Sequence, residues 1–203
     1  HACAFGTVGN LLSLSRASVT PSQHSNEVFD HYSIPAFDAG KWPARDTGSS
    51  IKSNKYVLGN DTVLISKLNP QISRVWLPIP SQRRPICSTE FLVCLAKPPF
   101  DRAYLFSMLS SASFQADFAT LVTGTSNSHQ RVKPDDFLVM PSVLPPDSVL
   151  KRFSIAASPL VARMQSNLAE TETLAGIRDT LLPRLLSGEI RLGEAEAVLE
   201  GVA

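Results

Sequence analysis

The hydrophobic pattern of the chain changes character near Pro145-Pro146. Before that point apolar residues come in short runs bounded by Gly, Pro, Asn or Asp, which is strand and turn chemistry. The runs Tyr56–Leu58, Thr62–Ser66, Arg74–Leu77, Phe91–Leu95 and Phe137–Met140 read as strands. One stretch differs: in Ala103–Leu121 apolar residues recur every three or four positions, which predicts one helix or two packed on a sheet. After Pro146 the spacing becomes helical. Asp147–Ala157 reads as a short helix, and Ser158-Pro159 as the N-cap and first turn of a longer one. From there Leu160, Met164, Leu168, Thr171, Leu174 or Ala175, Ile177, Leu181 and Leu185 form one apolar stripe with a single polar break at Thr171. Arg163, Gln165, Asn167, Glu170, Glu172 and Arg178 occupy the opposite face. Pro183 should kink or end the helix, and Gly188 suits its C-terminal stop.

These elements predict an α+β fold. Residues 1–146 form a globular domain of short strands with inserted helix, and residues 147–203 a long C-terminal helical arm. A helix of about 24 residues is about 36 Å long, and its stripe cannot be buried on itself. It therefore needs a partner helix, with Leu160, Met164, Leu168, Leu174, Ile177, Leu181 and Leu185 as the pairing row.

Composition changes this picture little. With 43% apolar residues the chain can bury a core, and no apolar run approaches the ~18 residues of a membrane span. The start, HACAFGTVGN, lacks Met and the charged and apolar regions of a signal peptide, so it reads as a trimmed chain or a piece of a longer one. Cys3, Cys87 and Cys94 show no CxxC spacing, so buried reduced thiols in a cytosolic protein are expected, and no metal site. The net charge of +1 hides an asymmetry. Residues 1–146 hold 13 Lys and Arg against 10 Asp and Glu, whereas residues 147–203 hold 6 against 8. The basic bias of the globular part permits a polyanionic partner.

No catalytic signature is present. GxxxxGK[ST], GxSxG, HExxH and GxGxxG do not occur, and His1, His24, His31 and His129 are scattered. The strand pattern does not supply the alternating fold of a nucleic-acid methyltransferase. No catalytic residue is assigned.

Five stretches carry a family resemblance: HYSIPAFDAGKWP (31–43), ISKLNPQISRVWLP (65–78), STEFLVCL (88–95), TGTSNSHQRVKPDDF (123–137) and LAGIRDTLLPRLLSGEIRL (174–192). In content, order and spacing they resemble the specificity subunit of type I restriction–modification enzymes. That resemblance implies a sequence-specific DNA-binding role without chemistry in this chain. It implies two target recognition domains, each reading one half of a bipartite site, joined by two long antiparallel helices that pair as a coiled coil. It implies methyltransferase subunits docked on that scaffold, with motor and nuclease subunits attached through them, in a prokaryotic cytoplasm. S-adenosylmethionine and ATP with Mg would belong to the partner subunits, and no cofactor is expected here. This chain holds one recognition domain and one helical region, and its end resembles a natural C-terminus. It is either the C-terminal half of a full subunit or a half-length subunit that self-pairs through the arm, and the latter implies a palindromic target. The alternatives are a catalytically active methyltransferase or nuclease fragment, and a helical adaptor that binds only protein.

Base readout needs Arg or Lys for guanine and Asn or Gln for adenine, while small donors and cations hold phosphates. On that chemistry the expected DNA-facing residues are Thr125, Ser126, Asn127, Ser128, His129, Gln130 and Arg131 on a Gly-opened loop, with Lys133 beyond it. The opposing reading is a structural loop in which Gln130 and Arg131 act as braces. Lys67, Asn69 and Arg74 flank the Leu68–Pro70 turn, and Arg83-Arg84 reads as a phosphate clamp. Lys41, Arg45, Lys52 and Lys55 form a looser basic run beside Trp42 and Tyr56, while Tyr32, Phe37 and Trp76 are assigned to packing.

Overall fold

The structure, a computed structural model, describes residues 3–79, 81–123, 130–191 and 193. It divides into two compact units, one up to Val161 and one from Ala162 onward.

The first unit is built on two sheets. One is antiparallel, in the order Leu12–Ser15, Phe91–Ala96, Thr62–Ser66, Val75–Trp76. The other is mixed, in the order Ser18–Val19, Lys55–Val57, Arg84–Cys87, Val28–Tyr32, Ala44–Thr47, with Val28–Tyr32 parallel to Arg84–Cys87. Thr62–Ser66 is buried along its whole length. Its alternate residues divide between two cores, as the period of two in a strand requires. Val63 and Ile65 join Leu92 and Cys94 in the core beneath the helices, with Leu105, Leu109, Phe118 and Phe137. Leu64 joins Phe91 and Val93 on the opposite face, with Tyr32, Phe37, Trp76 and Cys87. Cys87 and Cys94 are free and buried, and burial raises both thiols above their ordinary range, so they remain protonated.

The stretch 103–121 is two helices, Arg102–Ser110 and Ala112–Thr120. Ser111 closes the first through its amide, which donates to the Met108 carbonyl, and caps the second through Oγ, which accepts from the Phe114 amide. Residues 137–140 do not form a strand. Pro134–Val139 is a short helix, with Pro134 in its first turn and Asp135 and Asp136 placed favourably for its dipole. Phe137 then packs edge-on against Phe118 at 5.5 Å.

Asp147–Leu186 is one helix of 40 residues, not a short helix followed by a capped second one. Pro159 lies inside it, and Ser158 does not cap: its Oγ donates to Asp101 Oδ2 at 3.3 Å instead. Phe153 meets Tyr104 edge-on at 5.6 Å, holding the start of the helix to the first unit. In the second unit Thr171, Thr173 and Thr180 return their hydroxyls to carbonyls four residues earlier, so the polar break at Thr171 costs the helix little. Three residues beyond Pro183 the helix ends at Leu186. Gly188, at φ 73°, donates to the Leu185 carbonyl and Glu189 to that of Arg184, the paired bonds of a left-handed C-terminal cap. No helix among the described residues is long and apolar enough to cross a membrane.

Candidate nucleic-acid interface

The Leu68–Pro70 turn and the segment after residue 129 are about sixty residues apart in sequence and meet at one end of the antiparallel sheet. Ser66 Oγ donates to the Leu68 carbonyl at 3.0 Å and accepts from the Leu68 amide, which turns the chain as it leaves the strand. Asn69 takes a left-handed backbone, φ 48°, a conformation Asn tolerates better than most residues. Its amide donates to the Gln130 carbonyl at 2.9 Å, Leu68 bridges to Arg131, and the Val132 amide donates to the Lys67 carbonyl at 3.0 Å. The side-chain amide of Gln71 donates to Gln130 Oε1. Lys67, Asn69, Gln130 and Arg131 therefore share one surface, with Lys133 two residues on.

Arg131 is a brace on that surface. Its guanidinium donates to both Glu90 oxygens at 3.0–3.3 Å, and this bonding holds it firmly in the charged form. Gln130 is a brace too, through Gln71 and Asn69. Asn69 Oδ1 is buried with no hydrogen-bond partner among the described residues. Thr123 pairs with Arg131, and its Oγ1 donates to the Arg131 carbonyl at 3.0 Å. Thr125, Ser126, Asn127, Ser128 and His129 lie outside the described residues.

Arg74 is buried and faces Asp38, with Nε and Nη2 on the two carboxylate oxygens at 2.7 and 2.8 Å. The hydrogen bonds from Arg74 hold the Asp38 carboxyl below its ordinary range. With its charge matched and its side chain buried, Arg74 is a structural tie between the 65–78 and 31–43 stretches. Arg84 opens a strand of the mixed sheet and Arg83 precedes it, at 3.9 Å from Glu27 and 3.8 Å from Asp30 respectively. Within the looser basic run Lys55 is buried with Nζ on Ser53, while Lys52, whose Nζ donates to the Ser49 carbonyl, and Lys41, 5.1 Å over the Phe37 ring, are exposed. Tyr32, Phe37 and Trp76 pack together, with ring centroids at 4.6 and 5.4 Å from Trp76.

His31, also in the 31–43 stretch, donates from Nδ1 to Asp46 Oδ2 at 2.8 Å, while Nε2 is buried without a hydrogen-bond partner among the described residues. Burial lowers its pKa below 6.5, against the opposing pull of the Asp46 bond, and nearby Lys55 lowers it further. A depressed histidine contributes stability above the unfolded value, and that contribution is lost as pH falls through 6.5 toward the folded value. Thermal melts from about pH 7 to about pH 5 should therefore show the wild type losing stability that His31→Asn retains. Equal losses in the two proteins would contradict this assignment.

Along the expected pairing row of the arm, Leu160, Met164 and Leu174 stand 71%, 36% and 55% exposed, whereas Leu181 is buried. Leu168, Ile177 and Leu185 are half-buried. Leu182 and Leu186 are exposed as well and were not in the row. Their spacing of eight and twelve from Leu174 was the signal for them.

The fold is similar to that of part of the HsdS specificity subunits of type I restriction–modification systems. The HsdS subunit from Thermoanaerobacter tengcongensis matches 89% of this chain with a TM-score of 0.63 at 21% identity. The type I S subunit from M. genitalium matches 92% with a TM-score of 0.57 at 14% identity. A third matching chain, from work on complex assembly and conformational transition of the type I system, gives 0.64 over 91% at 21% identity. The chain spans about half the length of these structures, 46–48%. No protein-family model matches it, and no curated protein does.

Proposed function

We propose that this chain is a DNA-reading half of a type I specificity subunit: residues 1–146 recognise one half of a bipartite target, and residues 147–203 form the helical spacer. The observation that carries this reading is the meeting of the 65–72 and 130–133 segments on one surface, within a fold shared with HsdS subunits. On that surface Lys67 and Lys133 supply cations and Asn69 an amide, and the sequence of residues 124–129 carries further hydroxyls and an amide. This is the residue chemistry of phosphate positioning and base reading. Methyltransferase subunits dock on the scaffold, and the motor and nuclease subunits join through them. The chain itself carries out no chemistry. Exposed Leu160, Met164 and Leu174 support pairing of the arm with a second helix, from another copy if the subunit is half-length.

The test is titration of the chain into a mixed-sequence DNA duplex at several salt concentrations, beside an assay for methyl transfer from S-adenosylmethionine. Binding that weakens steeply with salt, with no methyl transfer by this chain alone, is expected. Methyl transfer would support the enzymatic alternative, and absence of DNA binding the protein-only adaptor.

A further inference from the structure

Arg16 follows the edge strand Leu12–Ser15, and Lys67 follows the neighbouring strand Thr62–Ser66, with Phe91–Ala96 between them. Ser15 pairs with Val93, and Val93 in turn with Leu64, so the register brings Arg16 and Lys67 out at the same end of the sheet. Both line one crevice with Tyr56, floored by Phe91 and flanked by Pro134, the residue after Lys133. Among the described residues none of Arg16, Lys67 and Lys133 forms an ion pair. Glu90, whose backbone receives the Lys67 amide, has its carboxylate held by Arg131. The Tyr56 hydroxyl likewise has no hydrogen-bond partner among the described residues.

The crevice has about 20 Å³ of free space. That admits about one water-sized group, so an anionic oxygen fits and a nucleobase does not. Arg16, Lys67 and Tyr56 all line a space of that size, and a guanidinium, an ammonium and a phenol are complementary in chemistry to a phosphate. We infer that Arg16, with Lys67 and Tyr56, grips one backbone phosphate of the bound DNA. The grip positions the duplex for base reading by other residues and reads no base itself.

The inference rests on the DNA-reading function proposed above. Its test compares wild type, Arg16→Ala, Arg16→Lys and Arg16→Ala/Lys67→Ala on one mixed-sequence duplex across a salt series. Loss of this one phosphate contact should flatten the slope of log K against log salt by about 0.9 in the double variant, and by part of that in Arg16→Ala. Arg16→Lys should keep the wild-type slope. All four should enrich the same motif from a pool of randomised duplexes, because a phosphate contact carries no sequence information. An unchanged slope in Arg16→Ala, or an altered motif, would overturn this inference and leave the proposed function standing. A wild-type chain without salt-dependent binding would overturn both.

Discussion

Replacing Trp76 by alanine is expected to lower the unfolding free energy by about 3–5 kcal/mol, as deletion of a buried aromatic side chain does. Trp76 is 4% exposed and centres the core between the two sheets. Its ring meets Tyr32 at 4.6 Å and Phe37 at 5.4 Å edge-on, and Phe91 at 6.2 Å. Alanine leaves a cavity these rings cannot close, because Tyr32 is also anchored by the Ile79 amide donating to its hydroxyl at 2.9 Å. The Trp76 strand pairs with Thr62–Ser66, which leads directly into Lys67 and the Asn69 turn, so DNA affinity should fall with stability. Denaturant unfolding of the two proteins measures the difference. A loss below about 1 kcal/mol would show that the core repacks around the gap.

Replacing Arg131 by alanine should weaken DNA binding about tenfold, or about 1.4 kcal/mol, on every sequence. The loss arises from charge rather than from unfolding. Arg131 and Glu90 are 40% and 27% exposed, so their pair is worth at most about 1 kcal/mol of stability. Without Arg131 the Glu90 carboxylate stands uncompensated beside Lys67 and opposes the phosphates. The double variant Arg131→Ala/Glu90→Gln removes that carboxylate and should recover most of the affinity. A double variant that binds as weakly as the single one would mean that Arg131 acts on the DNA directly.

The central strands were legible in the chain because Thr62–Ser66 and Phe91–Ala96 are buried on both faces and so appear as unbroken apolar runs. In the mixed sheet Lys55–Val57 was legible, overlapping the expected strand 56–58, and the other strands were not. Val28–Tyr32 and Ala44–Thr47 carry Asp30, His31, Arg45 and Asp46 and are defined by partners distant in sequence. Phe137–Met140 has strand-forming residues, but Pro134 and the two aspartates after it start a helix that carries Phe137 into the aromatic core. The arm was legible as a helix but not as a continuous one, since Ser158-Pro159 has the residues of a helix start.

The candidate interface was half legible. Lys67, Asn69, Gln130 and Arg131 stood out by residue chemistry, while their contact across about sixty residues follows from a pairing no local pattern encodes. Arg74 has the same chemistry as a DNA-facing arginine, and only Asp38, 36 residues earlier, makes it a buried tie. Arg16 follows an alternating strand in a region where no strand was expected, and its neighbour Lys67 is set by register rather than by sequence.

The central claim, that this chain reads a DNA sequence, is tested most directly by selection from a pool of randomised duplexes followed by sequencing of the bound fraction. Enrichment of one short motif is predicted, doubled as inverted copies at a fixed gap if two chains pair through their arms. A bound fraction with the same sequence composition as the starting pool would contradict it.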